Sequence, residues 1–163
     1  MYYFAYGSNL SIKRLQHRLP SASVVCVARL SEHRLLFHKK SQDGSAKCDA
    51  MYTGDADDVV IGVVYEIELL EKPQLDAFEE RGYGYEVKMV KVHASQGTQI
   101  EAMTYYAIDI DSTLSPYHWY KEHVMRGARE HHFPKVYLQG IERVPSLPDP
   151  NHERHAHEMH IYG

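Results

Sequence analysis

Two stretches of this sequence, and one residue type, have the chemistry and spacing that a reactive site needs. The first stretch is Tyr6-Gly7-Ser8-Asn9-Leu10, which follows the apolar run Tyr2-Tyr3-Phe4-Ala5 and precedes Ile12 and Leu15 at helical spacing. This order predicts a strand, a tight turn and a helix. Gly7 permits a sharp turn and close approach of backbone to a ligand. Successive N–H groups ahead of a helix make a cradle for an anion or a developing oxyanion. The same pattern also serves plain capping by Ser8, Asn9 or Ser11. The second stretch surrounds Glu79. On a helix over Pro73–Arg81, Leu75 and Phe78 mark the buried stripe, and Glu79, four residues past Leu75, projects beside it. Glu80 falls nearly opposite and Asp76 lies well off the stripe. A half-buried carboxyl suits proton transfer, because burial disfavours its charged form; one reaching water is an ordinary boundary charge. The residue type is histidine, 12 in all, with His152, His155, His157 and His160 crowding the C-terminal end. They lack the H-E-x-x-H spacing of a helical metal site. They and His131-His132 are expected at the surface, with no metal bound and adventitious capture as the alternative.

These residues must be positioned by other elements. Met1–Tyr6 and the β-branched run Val59–Ile67 predict buried strands. Ser11–Arg18 predicts a short helix stopped by Pro20, and Ser23–Lys39 two strands joined near Ser31-Glu32-His33. Ser41–Asp49 reads as a loop. Tyr85–His93 and Gln99–Ile108 read as a hairpin across Ser95-Gln96-Gly97. A helix is expected from about Tyr117 to His131 and a short one from Pro134. The Pro- and His-rich tail from about residue 145 is expected to lie loosely on the surface and to be dispensable for turnover. Strands early and helices late point to an α+β fold in one domain over residues 1–163.

Composition excludes some functions. With 163 residues and a formal charge of −4, the chain has no general electrostatic reason to bind nucleic acid or an acidic membrane surface. No apolar run is long enough to span a bilayer. The two cysteines are expected as free thiols in a reducing, cytoplasmic setting, Cys26 in the core and Cys48 in a loop or strand edge.

Several segments, in order, resemble one family. Phe4-Ala5-Tyr6-Gly7-Ser8-Asn9-Leu10 is similar to the Y-G-S-N-L signature of the gamma-glutamylcyclotransferase-like (AIG2-like) family. Pro20-Ser21-Ala22 with Cys26-Val27-Ala28-Arg29-Leu30, and Gly62-Val63-Val64-Tyr65, resemble two further segments. Leu75-Asp76-Ala77-Phe78-Glu79 resembles its L-D-x-x-E, whose Glu is the catalytic acid/base. Ser115-Pro116, Tyr120 and Gly127-Ala128-Arg129-Glu130 resemble a helix typical of the cyclotransferases proper. One position departs: the family usually has Gly after the catalytic Glu, where Glu80 stands here.

The resemblance implies a small mixed β-barrel flanked by helices. It implies intramolecular aminolysis of a γ-glutamyl amino acid or related amine to 5-oxoproline and the free amine, with Glu79 as general base and acid and no cofactor. It further implies Tyr6, Gly7, Ser8, Asn9, Leu10, Tyr85, Tyr105 and Tyr120 as substrate-binding residues. Whether the Gly7–Leu10 amides hold the oxyanion or the substrate's α-carboxylate stays open. So do a relative acting on γ-glutamyl-lysine or a biosynthetic γ-glutamyl amide, a non-catalytic small-molecule-binding module, and a homodimer.

Overall fold

The computed structural model describes residues 1–163. Five strands close into a barrel in the order β1 (Tyr2–Ala5), β5 (Val59–Glu66), β2 (Ser23–Ser31), β6 (Tyr85–Ala94) and β7 (Gln99–Ala107). All pairings are antiparallel except that β1 runs parallel to β7, Tyr3 standing opposite Met103. Strands β3 (His33–Lys40) and β4 (Ala46–Tyr52) form a separate two-stranded ribbon. The helices are α1 (Ile12–Arg18), α2 (Lys72–Phe78), α3 (His118–Glu130), α4 (Lys135–Glu142) and α5 (His152–His160). This is the α+β fold read from the residues and the mixed barrel with flanking helices that the family resemblance implies. One continuous cluster of buried side chains fills it, including Phe4, Val63, Val64, Tyr65 and Met103 from the strands and Leu10, Leu15, Leu75 and Val124 from the helical segments.

The barrel presents one strand end to the site. β1 is buried at Tyr3, Phe4 and Ala5 and delivers the chain at Tyr6 into a 3-10 turn over Ser8–Leu10, after which Ser11 caps α1 by accepting from the Arg14 amide. Helix α3 packs across this turn. A Cβ on Gly127 would stand 2.3–2.4 Å from Leu10 and the Ser11 nitrogen, so only glycine lets the two segments approach this closely. None of the helices is long and apolar enough to cross a membrane.

The structure departs from the sequence expectation in four places. Ser41–Asp49 is not all loop: β4 begins at Ala46, because the small residues Ala46, Cys48 and Ala50 are buried when paired with β3. Helix α2 ends at Phe78 rather than Arg81, and Phe78 is exposed beneath the Arg18 guanidinium instead of extending the stripe. The cysteines exchange roles, Cys48 being buried and Cys26 only partly so, both free. The tail is not loose. Buried Asp149 accepts from the Trp119 indole and from Arg154, and Asn151 caps α5, so polar contacts hold a helix that no apolar stripe announces.

Candidate active site

The turn after β1, the end of α2 and the start of β4 enclose a small cavity. Its wall carries the phenols of Tyr3, Tyr6, Tyr85, Tyr105 and Tyr120, with Gly7, Ser8, Asn9, Cys48 and Glu79. An outer vestibule adjoins it, lined by the cations Arg14, Arg18, Lys39 and Lys47 and by Glu80. Ser8, Glu79, Tyr85 and Tyr120 border both chambers and therefore form the neck between them.

Glu79 sits where helical geometry ends. It caps α2, its N–H bonding back to the Leu75 carbonyl at 3.0 Å. Beyond it the Glu80 N–H reaches Ala77 and the Arg81 N–H reaches Asp76, with Glu80 at φ 51°. This is a Schellman closure, whose left-handed residue is usually glycine. The conformation accounts for a glycine preference at this position. Glu80 holds it while pairing with the buried Lys39 ammonium at 2.6 Å, turned towards the vestibule. The Glu79 Oε1 accepts from Asn9 Nδ2 at 2.9 Å and from Arg18 at 3.4 Å, while Oε2 has no protein partner. One oxygen is therefore anchored and the other is available to exchange a proton.

The hydrogen-bond directions divide the wall into acceptors and donors. Tyr6, Tyr85 and Tyr105 donate their protons to the Tyr105 carbonyl (2.6 Å), the Cys48 carbonyl (2.5 Å) and Asp76 (2.6 Å), so each presents oxygen lone pairs inward. Tyr3 accepts from Asn9 at 3.0 Å and Tyr120 from the Cys48 amide at 2.9 Å, which leaves their own protons to donate; beside Tyr120 only the Cys48 thiol, a weak acceptor, competes. The N–H groups of Gly7, Ser8 and Asn9 bond to no protein acceptor. Burial pushes all five phenols far up, and likewise the Cys48 thiol, so none of them ionises to act as base or nucleophile near neutrality. Burial also raises Asp76, but its bonds to Lys72, Tyr105 and Arg81 outweigh this and hold it charged below the usual range.

Of the residues named from sequence, Tyr6, Gly7, Ser8, Asn9, Glu79, Tyr85, Tyr105 and Tyr120 are brought together on this wall. Leu10 is not: it is fully buried, and its carbonyl takes the Tyr65 hydroxyl at 2.8 Å, because the turn has by then rotated its side chain into the core. Sequence reasoning missed Tyr3, Arg14, Arg18, Lys39, Lys47 and Asp76. Two of them had a local signal, Tyr3 in the same apolar run that leads to Gly7 and Asp76 in the Leu75–Glu79 segment. The tail histidines lie on α5, and no three His, Cys, Asp or Glu side chains gather into a possible metal-binding group anywhere in the chain.

A closed five-stranded mixed barrel with these flanking helices is an architecture found among known proteins. Residues 59–141 match the model of the AIG2-like family. The chain is 33% identical over 147 residues to human gamma-glutamylcyclotransferase, covering 87% of this chain and 77% of that protein. The mouse protein of the same name is 32% identical over the same shares. A solved structure called gamma-glutamyl cyclotransferase superposes with a TM-score of 0.82 at 29% identity, covering 90% of this chain and 89% of its own. The chain belongs to the gamma-glutamylcyclotransferase family within the AIG2-like group.

Proposed function

We propose that this chain is a gamma-glutamylcyclotransferase in which Glu79 is the general base and acid. The observation that carries this is the position of Glu79 at the neck between a small polar chamber and a cationic vestibule. A γ-glutamyl amide bound across the neck between the two chambers has its scissile bond beside Glu79. The lone pairs of Tyr6, Tyr85 and Tyr105 suit the substrate's α-ammonium. The free N–H groups of Gly7, Ser8 and Asn9 and the protons of Tyr3 and Tyr120 suit an oxyanion or carboxylate.

The chemistry needs no more groups than these. The folded γ-glutamyl chain brings its own α-nitrogen to the γ-carbonyl, a proximity effect. Oε2 of Glu79 takes a proton from the α-ammonium and passes it on to the departing nitrogen; as the lactam ring closes, the ring nitrogen gives up its second proton by the same route, so the lactam keeps one N–H and the amine leaves as an ammonium. The products are 5-oxoproline and a free amine in equal amounts. The vestibule cations are each paired already, Arg14 with Glu158, Arg18 with Glu79, Lys39 with Glu80 and Lys47 with Asp43, and their remaining N–H donors suit a leaving amine that carries a carboxylate, an amino acid rather than an alkylamine.

The test is a panel of γ-glutamyl dipeptides, a γ-glutamyl alkylamide, an α-glutamyl dipeptide and an N-acetylated γ-glutamyl dipeptide, with 5-oxoproline measured. The dipeptides with a free amine should turn over, the alkylamide at least about tenfold less well, as expected for one lost charge-assisted contact. The α-glutamyl and acetylated compounds should be inert. Release of glutamate in place of 5-oxoproline would make water the nucleophile and overturn the assignment.

A further inference from the structure

Helix α5 reaches the substrate turn through a buried polar chain that the cyclisation chemistry itself does not require. The Glu158 carboxylate contacts the Arg14 guanidinium and lies 3.0 Å from His123 Nε2, which is itself 2.9 Å from Arg14. Arg14 is almost wholly buried, and its Nε donates to the Ser8 hydroxyl oxygen at 3.2 Å. Tyr162, just past α5, meets His123 Nδ1 at 2.7 Å and donates to Ser11 Oγ at 3.1 Å. The helix is thereby fastened to both ends of the segment from Ser8 to Ser11.

From this we infer that Glu158 is a positioning residue for substrate binding, acting through Arg14 on Ser8. Two physical steps carry it. With its oxygen already accepting from Arg14, the Ser8 hydroxyl has its rotor fixed and its own proton left to donate. Ser8 stands at the neck, where a bound substrate must pass. Arg14 in turn holds that orientation only while its buried charge is balanced, and Glu158 is the sole carboxylate in contact with it. Without Glu158, Arg14 turns towards the vestibule and Ser8 loses its fixed proton. Because Ser8 meets the ground-state substrate, the loss falls on KM rather than kcat.

This inference rests on the proposed activity, and the experiment separates the two. Wild type and the variants Glu158→Gln, Glu158→Asp, Arg14→Lys, Ser8→Ala and Ser8→Ala/Glu158→Gln are assayed with the γ-glutamyl dipeptide the wild type turns over fastest. The Kd for 5-oxoproline is measured by calorimetry and Tm at the same pH. Glu158→Gln, Arg14→Lys and Ser8→Ala should each raise KM and Kd about tenfold, with kcat within about threefold, the scale of one hydrogen bond involving a charged group. Glu158→Asp should recover part of the loss, and the double variant should be no worse than Ser8→Ala. Should Glu158→Gln fail to fold, Arg14→Lys decides, since a lysine satisfies Glu158 but has no Nε for Ser8. Unchanged KM and Kd in a folded Glu158→Gln or Arg14→Lys, or additive losses in the double variant, overturn the inference. A wild type that neither turns over a dipeptide nor binds 5-oxoproline removes the activity, and this inference with it.

Discussion

Two adjacent carboxylates, Glu79 and Glu80, differ in role because a helix ends between them. Glu79 keeps a near-helical backbone and reaches inward to Asn9 and Arg18, whereas Glu80 takes the left-handed turn and is drawn to Lys39. Glu79→Gln should therefore fold and lose at least about two orders of magnitude in kcat, the scale of a lost general base, while Glu80→Gln keeps most of the activity. Steady-state rates of 5-oxoproline release decide this, and the reverse pattern moves the base by one residue. The same scale shows what sequence can reveal of a site. Glu79 and the Tyr6–Asn9 turn were legible because their neighbours along the chain define a stripe and a turn. Arg18 was not, because its role comes from Asn9 and Glu79, partners that only the folded chain brings near.

At the scale of elements, the closure of α2 couples two features that look independent in sequence. A glycine at position 80 would relieve a left-handed residue, worth about 1 kcal/mol. It would also strip the buried Lys39 of its carboxylate, at about 1–3 kcal/mol or more. Glu80→Gly should thus destabilise the native chain but stabilise a Lys39→Met background, and urea unfolding of the four proteins in this cycle measures the change of sign. Two effects of the same sign would show that backbone strain and ion pair are not opposed here. β1 and β5 could be read from their continuous apolar runs and α3 from its helical spacing, since each buries what the sequence marks as apolar. β4 could not, because Ala46, Cys48 and Ala50 carry little strand preference and become buried only against β3. α5 is polar nearly all round, with no buried residue, and is held by Asp149, Glu158 and Tyr162, so no stripe could mark it.

At the scale of the whole molecule, the polar chain that fastens α5 to the barrel makes stability depend on pH through His123. This ring is fully buried, with the Trp119 ring at 5.8 Å and Arg14, Glu158 and Tyr162 around it. Burial first, and the Arg14 charge with it, pulls its pKa down from 6.5 to about 4, against the opposing pull of Glu158. The folded state therefore resists a proton that the unfolded state accepts. Neutral His123 contributes its full share of stability above about pH 6.5, and that share is lost as pH falls towards 4. By pH 5 the loss is about 2 kcal/mol. Burial lowers His33 and His131 in the same direction, so they add to the slope. Glu158 acts at lower pH: burial raises it, but His123 and Arg14 bring it from 4.5 down to about 2, so its share persists above 4.5 and fades below. Unfolding free energies at pH 7, 6 and 5 should fall more steeply for wild type than for His123→Gln, whose side chain binds no proton in this range. Only the slopes are compared, because the substitution also changes stability at pH 7. Parallel slopes would place the acid sensitivity elsewhere. A steeper wild-type slope would assign that share of the acid sensitivity to His123.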